Sequence, residues 1–247
     1  VKIIDCFMLD NELDMLEVRL EELSGKADRF VICEAPVTHR GDPKPLHYAE
    51  NQERFAAWAD RITYVVADLP GTADPWVREH AQRDAAMPVL AALAADDDII
   101  LICDADEFPP WPFPPPAPAV AFAQNLAMYA VDWIYPQPHI CSVAARWGLI
   151  RDSSLSRVRD ARYSLPVVSG GWHLTWLGGV EAQREKLGKH CHLEMRPDET
   201  ERIASGRAYR EGAHQSGECM MIPVDADERW PRRIFERRCP ESWFRPR

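Results

Sequence analysis

Residues 96–110, DDDIILICDADEFPP, constrain the fold of this chain more than any other stretch. An acidic turn leads into a short apolar run, residues 99–103, which ends at Asp104-Ala105-Asp106-Glu107 and a proline cluster. Such a run, bounded by turn formers, reads as a strand buried on both faces, as in a parallel sheet. Side chains alternate along a strand, so Asp104 and Asp106 are expected to share a face while Ala105 points the other way. Open α/β sheets hold their ligands at the carboxyl ends of parallel strands. Two carboxylates there repel each other unless a cation lies between them. A hard divalent ion that also touches phosphate oxygens answers that need, so the stretch predicts a metal and diphosphate site.

The flanking sequence supports an α/β reading. Residues 1–8 are apolar and β-rich, and Leu13, Leu16, Val18, Leu20 and Leu23 follow at a spacing close to helical. Gly25 ends that helix, and residues 28–34 form a second strand. Strand, helix, strand implies a right-handed crossover and a parallel sheet. Glu34 closes the second strand, either as an ordinary strand-end carboxylate or as an acceptor for a ribose or base. A polar loop over residues 35–47 carries His39, Lys44 and His47; residues 48–59 read as helix and residues 62–66 as a third strand. Asp74 with Pro75 at the first helical position starts a helix that runs to Leu93.

Beyond the acidic turn, residues 109–118 (PPWPFPPPAP) are too proline-rich for helix or central strand. A stiff loop is expected there, displaying Trp111 and Phe113, rings of the kind that stack on sugars. Residues 126–135 read as a strand carrying Asp132, and residues 147–150 and 167–168 as shorter β segments. Residues 169–176 read as a glycine turn followed by an aromatic strand. Residues 180–187 read as a helix with Glu181 in its first turn, and a further helix is expected from Pro197.

With 247 residues, 46% of them hydrophobic, the chain suits one domain with a sizeable core. The net charge of −10 and the lack of a lysine-rich tract argue against nucleic acid as partner. Seven scattered cysteines without a CxxC pair suit a reduced cytosol. His190-Cys191-His192 invites a zinc reading, but no second ligand pair at finger spacing accompanies it. The sequence shows neither a secretory signal nor an apolar run of about 18 residues, so no membrane span is expected.

Several stretches together resemble glycosyltransferase family 17: Asp5-Cys6-Phe7 through Asn11-Glu12-Leu13-Asp14 to Glu17-Val18-Arg19-Leu20, Arg29-Phe30-Val31-Ile32 with Glu34, and Pro43-Lys44-Pro45-Leu46. Asp104-Ala105-Asp106-Glu107, Gly170-Gly171-Trp172-His173, and His192 with Glu194 continue the likeness in order. The resemblance implies a GT-A-like single domain, with a mostly parallel central sheet flanked by helices. It further implies a nucleotide-sugar donor (UDP-GlcNAc), a divalent ion (Mn²⁺ preferred, or Mg²⁺) and inversion at the anomeric carbon. On this reading residues 1–107 form the nucleotide-sugar-binding half, residues 108–195 the acceptor and catalytic half, and residues 196–247 a C-terminal helical extension. Asp106 becomes a direct metal ligand, with Asp104 on metal or ribose and His173 or His192 adding a nitrogen. Glu12, Glu34 and Arg83 become donor contacts, and Trp111 and Trp172 acceptor contacts. Glu181 is the first candidate for the base and Asp132 the second. Animal members of the family are Golgi membrane proteins, whereas no anchor appears here, so the cytoplasm is the expected location. That departure, with the proline-rich loop, leaves the acceptor open between a glycan and a small molecule.

Two rival enzyme classes fit less well. A sugar nucleotidyltransferase needs a glycine-rich phosphate loop after the first strand, and LDNELD holds no glycine. A HAD-type phosphatase carries its paired aspartates on the first strand, where Asp5 stands alone. The alternative that remains is a non-catalytic nucleotide-sugar or carbohydrate-binding protein of the same fold.

Overall fold

Strands β1 (Ile3–Met8), β2 (Arg29–Glu34), β3 (Ile62–Val66) and β4 (Ile99–Asp104) lie in the order β3-β2-β1-β4 and are all parallel. The structure is a computed structural model and describes residues 1–113, 119–189, 191, 197–214 and 219–245. Helix α1 (Leu13–Leu23) links β1 to β2. Helix α2 (His47–Glu50) and a 3₁₀ segment (Gln52–Arg61) link β2 to β3, and α3 (Pro75–Asp84) with α4 (Met87–Leu93) links β3 to β4. The alternation of β1 shows why these residues make this sheet. Phe7 packs with Leu16, Leu20 and Leu23 of α1, while Ile4 and Cys6 face the opposite layer with Ala86 and Leu90. Both faces are covered, as a parallel sheet requires.

The second half extends the same sheet with mixed directions. Its strands are β5 (Glu107–Phe108), β6 (Ala119–Met128), β7 (Trp133–Ile134), β8 (His139–Arg146), β9 (Val167–Thr175) and β10 (Ile222–Pro223). β8 runs antiparallel to β4, β6 antiparallel to β8, and β9 parallel to β6, while β5 pairs antiparallel with β9. The remaining helices are α5 (Trp147–Ile150), α6 (Leu155–Asp160), α7 (Gly179–Lys189), α8 (Pro197–Ala204), α9 (Arg207–Glu211) and α10 (Arg232–Phe235). Trp230, Ile234, Trp243 and Phe244, from the last part of the chain, pack with Met15 and Val18 of α1. Among the described residues, no helix is long and apolar enough to cross a membrane.

Several elements differ from expectation. The strand expected over residues 126–135 is β6, which starts at Ala119 and ends before Tyr129, where φ reaches 71° and the chain turns. Residues 147–150 form a helical turn instead of a β segment. The backbone N–H groups of Trp147 and Gly148 donate to the carbonyls of Asp98 and Asp96 (2.8 and 2.9 Å), so the acidic turn captures them. The helix expected to reach Leu93 breaks after Asp84, and Pro88 sits in the first turn of α4. Phe113 is not displayed: it packs edge-on against Phe122 at 5.2 Å.

The glycine pair of residues 170 and 171 does not end a strand. Both glycines stay within β9 at positive φ (126° and 77°), where the register against β6 shifts. A Cβ on Gly171 would lie 2.2 Å from the carbonyl oxygen of Phe108 and 2.7 Å from the nitrogen of Pro110. This close approach seats β5 against β9 and sets His173 opposite Glu107. Gly171→Ala is therefore expected to destabilise the fold by at least about 2 kcal/mol, read as a shifted urea midpoint. Gly170→Ala, whose Cβ would meet two Pro110 side-chain carbons (3.1 and 3.9 Å) and no backbone atom, should escape most of the steric cost and keep the strain of its positive φ.

Candidate active site

The turn of residues 104–107 lies at the carboxyl end of β4, beside the carboxyl ends of β1 and β2. Arg19 of α1 fastens it from inside. This arginine is fully buried and forks onto both oxygens of Asp5 on β1 (2.8 and 2.6 Å). Its Nη1 also donates to the carbonyls of Asp104 (3.2 Å), Ala105 (3.4 Å) and Glu107. Burial works against the charge of Arg19, but Asp5 outweighs it and holds the guanidinium above its ordinary value.

β4 ends at Asp104, so strand alternation stops there and the two aspartates find different partners. Asp104 accepts from Arg83 of α3 (3.0 Å) and Arg159 of α6 (2.7 Å). Burial opposes its charge, yet the two guanidiniums hold its carboxyl far below the carboxylate range. Arg159 also forks onto the buried Glu107 (2.8 and 2.6 Å), whose Oε2 accepts from the Asp104 amide as well. Asp106 instead faces His173 Nε2 of β9 at 3.5 Å and Lys186 Nζ of α7 at 3.8 Å. Against burial, these two hold its carboxyl below its ordinary value. The Nδ1 of His173 lies 3.3 Å from the Cys141 sulfur. Burial would lower the imidazole's pKa, but Cys141 and Asp106 raise it well above the ordinary value.

Helix α7 closes over the loop that follows β1. Lys186 approaches Thr175 Oγ1 (3.2 Å) and the Trp176 ring (5.6 Å), and Lys189 pairs with Asp10 at 3.6 Å. Asn11 donates to Glu185 at 2.8 Å. Glu12 stands at the N-cap position of α1 without a side-chain bond into the helix, and its carboxylate instead accepts from the Asp10 amide (3.0 Å). Burial and Asp10 raise its carboxyl above the ordinary value, with Lys186 opposing. The edge thus combines acidic groups with lysines 44, 186 and 189, the mixture an anionic ligand held through a cation requires.

Residues 1–112 match glycosyltransferase family 17. Among curated relatives, the β-1,4-mannosyl-glycoprotein 4-β-N-acetylglucosaminyltransferases of Rattus norvegicus and Homo sapiens are each 31% identical over 118 residues, covering 44% of this chain. The Mus musculus enzyme is 30% identical over the same length. The chain spans 22% of the length of each of these relatives. Among solved structures, the galactosyltransferase LgtC in complex with donor and acceptor sugar analogues aligns at 12% identity and a TM-score of 0.36, over 66% of this chain and 64% of that one. The family 17 match takes in Arg19, Arg83 and the acidic turn, and ends before Cys141, Arg159, His173 and Lys186.

The residues expected to form a family 17 site are only partly brought together. Asp106 and His173 meet, and Glu12 lies near them through Lys186. Asp104 and Arg83 are bound to each other, and Arg83 is further engaged by the Cys103 carbonyl (3.2 Å) and Glu79 (3.1 Å). Glu34 is fully buried and accepts from the His47 and Tyr48 amides, the Tyr64 hydroxyl and Lys44, so it anchors the loop after β2. Asp132 is buried and holds Arg245 through its backbone N–H (2.9 Å) and Nε (3.2 Å). Trp172 packs against Trp230 with tilted rings 4.1 Å apart, donates to the Arg229 carbonyl and belongs to a buried cluster. Trp111 is 40% exposed with its edge against Phe113. The Glu181 carboxylate is 85% exposed and pairs with Arg184 at 2.6 Å. His192, His190 and Glu194 lie outside the described residues.

Sequence reasoning passed over Arg159, Lys186, Cys141 and Arg19. Arg19 carried a signal: it occupies the apolar face of α1, between Leu16, Leu20 and Leu23. Arg159 carried none, because its partners lie more than fifty residues upstream.

Proposed function

We propose that this chain is a metal-dependent, inverting glycosyltransferase that moves a sugar from a nucleotide-sugar donor, UDP-GlcNAc first, onto a hydroxyl of a glycan or small molecule. The family 17 match, which runs from β1 through the fastened acidic turn, carries the proposal. Asp106 and His173 are the residues suited to hold Mn²⁺ or Mg²⁺. A carboxylate oxygen and an imidazole nitrogen 3.5 Å apart approximate one edge of the coordination shell of such an ion. Bound there, the ion would act as a Lewis acid on the departing diphosphate. Lys186 adds a second positive charge at the same edge, and Arg83 with Arg159 keeps Asp104 from moving. Asp104 is thus a positioning residue for the turn. The cytoplasm remains part of this proposal as the location.

The base must reach the acceptor hydroxyl, and of the two expected carboxylates Glu181 is the accessible one. Glu181→Gln is expected to lower kcat by about 10²–10⁴-fold with KM for the donor unchanged. A change within about twofold in steady-state assays would move the base elsewhere.

The proposal is tested by calorimetric titration with UDP-GlcNAc, UDP and GDP, each with and without Mn²⁺, alongside an assay of donor hydrolysis. Manganese-dependent UDP binding with slow hydrolysis supports it. A second reading, a non-catalytic binding protein, is favoured by the locking of Asp104 between two arginines. Binding without any hydrolysis or transfer would select that reading, and no nucleotide binding would sink both.

A further inference from the structure

The notable cluster outside the acidic turn joins three distant parts of the chain. His39 lies in the loop after β2, Glu79 on α3, and Cys191 after α7. Each offers one ligand atom, and these atoms lie within 4.8 Å of one another. The Cys191 thiol donates to Glu79 Oε2 at 2.9 Å, while the other Glu79 oxygen accepts from Arg83. Cys191 is buried, and His39 and Glu79 are half-buried.

The surroundings prepare His39 as a ligand, while burial and the neighbouring Glu79 push the Cys191 thiol far above its ordinary value, so the metal itself must displace that proton. Gln82 uses its amide nitrogen on the carbonyls of Leu9 (3.3 Å) and Cys33 (2.9 Å), so its Oε1 must be the acceptor for His39 Nε2 at 2.9 Å. Nε2 therefore carries the hydrogen, and the lone pair of the neutral imidazole stays on Nδ1. A histidine whose second nitrogen donates to a carbonyl oxygen is the usual arrangement behind a metal ligand. Arg78 donates to the His39 carbonyl at 2.9 Å and ties the loop to α3. Glu79 and Gln82 stand three residues apart and so share a helix face.

We propose that His39, Glu79 and Cys191 form a second metal site, for a borderline-soft ion of the zinc class, separate from the Asp106–His173 pair. One sulfur, one nitrogen and one carboxylate oxygen, with solvent in the fourth position, is a known donor set for tetrahedral zinc. The sulfur separates this site from the oxygen-preferring ions expected at Asp106. Bonds of about 2.0–2.3 Å place tetrahedral ligand atoms roughly 3.3–3.7 Å apart, so on binding the 2.9 Å contact between Cys191 and Glu79 opens slightly while the wider spacings of the cluster, all within 4.8 Å, close. The Cys191 S–H bond breaks, its proton leaves to solvent, and a sulfur–metal bond takes its place. The ion then ties Cys191 to α3 and to the loop after β2. The buried Glu107–Cys141–His173 group does not compete, because Arg159 and the Asp104 amide occupy the Glu107 oxygens.

The test uses the chelator-stripped chain with Zn²⁺ and Co²⁺ as probes, independent of any transferase assay. The expected result is one Zn²⁺ per chain by metal analysis, a cobalt–thiolate charge-transfer band, and a zinc-dependent rise in melting temperature. Cys191→Ser and His39→Ala should each abolish the band and weaken Zn²⁺ binding by at least about 100-fold. His39 is half-buried in a loop, so its variant keeps the test open if Cys191→Ser folds poorly. Cys141→Ser and Asp106→Asn should keep both band and affinity. A wild-type chain without the band, or one whose band survives Cys191→Ser and His39→Ala, or vanishes in Cys141→Ser, overturns the proposal.

Discussion

Asp106→Asn is expected to remove Mn²⁺-dependent UDP binding, with a loss of ion-dependent affinity of at least about 100-fold and of turnover by about 10³-fold or more. The side chain keeps its volume, so the fold should stand, and far-UV circular dichroism with a urea melt would confirm that. What changes is charge: the carboxylate that faces both His173 and Lys186 becomes a neutral amide. A hard ion loses its anionic oxygen ligand, and the Lys186 ammonium is left facing it. The pH dependence adds a second readout. His173 has a raised pKa in the folded chain, so its protonated form persists to higher pH than in the unfolded chain. The stability that this charged imidazole contributes is fully present below its unfolded value of about 6.5 and is lost as pH rises through the folded value. A protonated imidazole cannot ligate, so ion affinity in the wild type should increase as pH rises through that same folded value. In Asp106→Asn one of the groups that raise the His173 pKa is gone, and NMR titration of the imidazole should place it lower. If manganese-dependent UDP binding survives in this variant, the acidic turn is not the donor site.

How far the sequence discloses this architecture depends on whether the cause of each element is local. β1, α1, β2, β3 and β4 follow from apolar runs and helical spacing, and their positions agree closely with the structure. β6 was hidden because it is alanine-rich and buried on both faces, so no alternation marks its start. Residues 147–150 coil only because Asp96 and Asp98, some fifty residues upstream, accept their amide hydrogens. The same holds at the site. Asp106 with His173 could be anticipated from two motifs, and the Gly171 contact explains why both motifs are needed together. Glu34, Asp132 and Trp172 stood at plausible positions, but each is consumed by partners that no spacing rule reveals. Cys191 likewise lacked a ligand pair within its own segment, and meets His39 and Glu79 only through the fold.

Arg19→Met should be the most destabilising single change. Arg19 is wholly buried, so its loss leaves the Asp5 carboxylate inside the core without a counter-charge. Breaking one partner of a buried pair costs about 3–5 kcal/mol, which in a domain of this size lowers Tm by on the order of 10 °C. The double variant Asp5→Leu with Arg19→Met separates stability from function. Apolar residues of similar volume commonly replace a buried ion pair at little or no net cost, so most of the lost Tm should return. The carbonyls of Asp104, Ala105 and Glu107 would still lack the donor that Arg19 provides. The acidic turn should therefore stay loose, and manganese-dependent UDP binding should remain weakened while thermal stability recovers. A single variant within about 1 kcal/mol of wild type by urea denaturation would show that the pair is not a support of the fold. A double variant that regains donor affinity along with Tm would show that the turn does not depend on Arg19 for its shape.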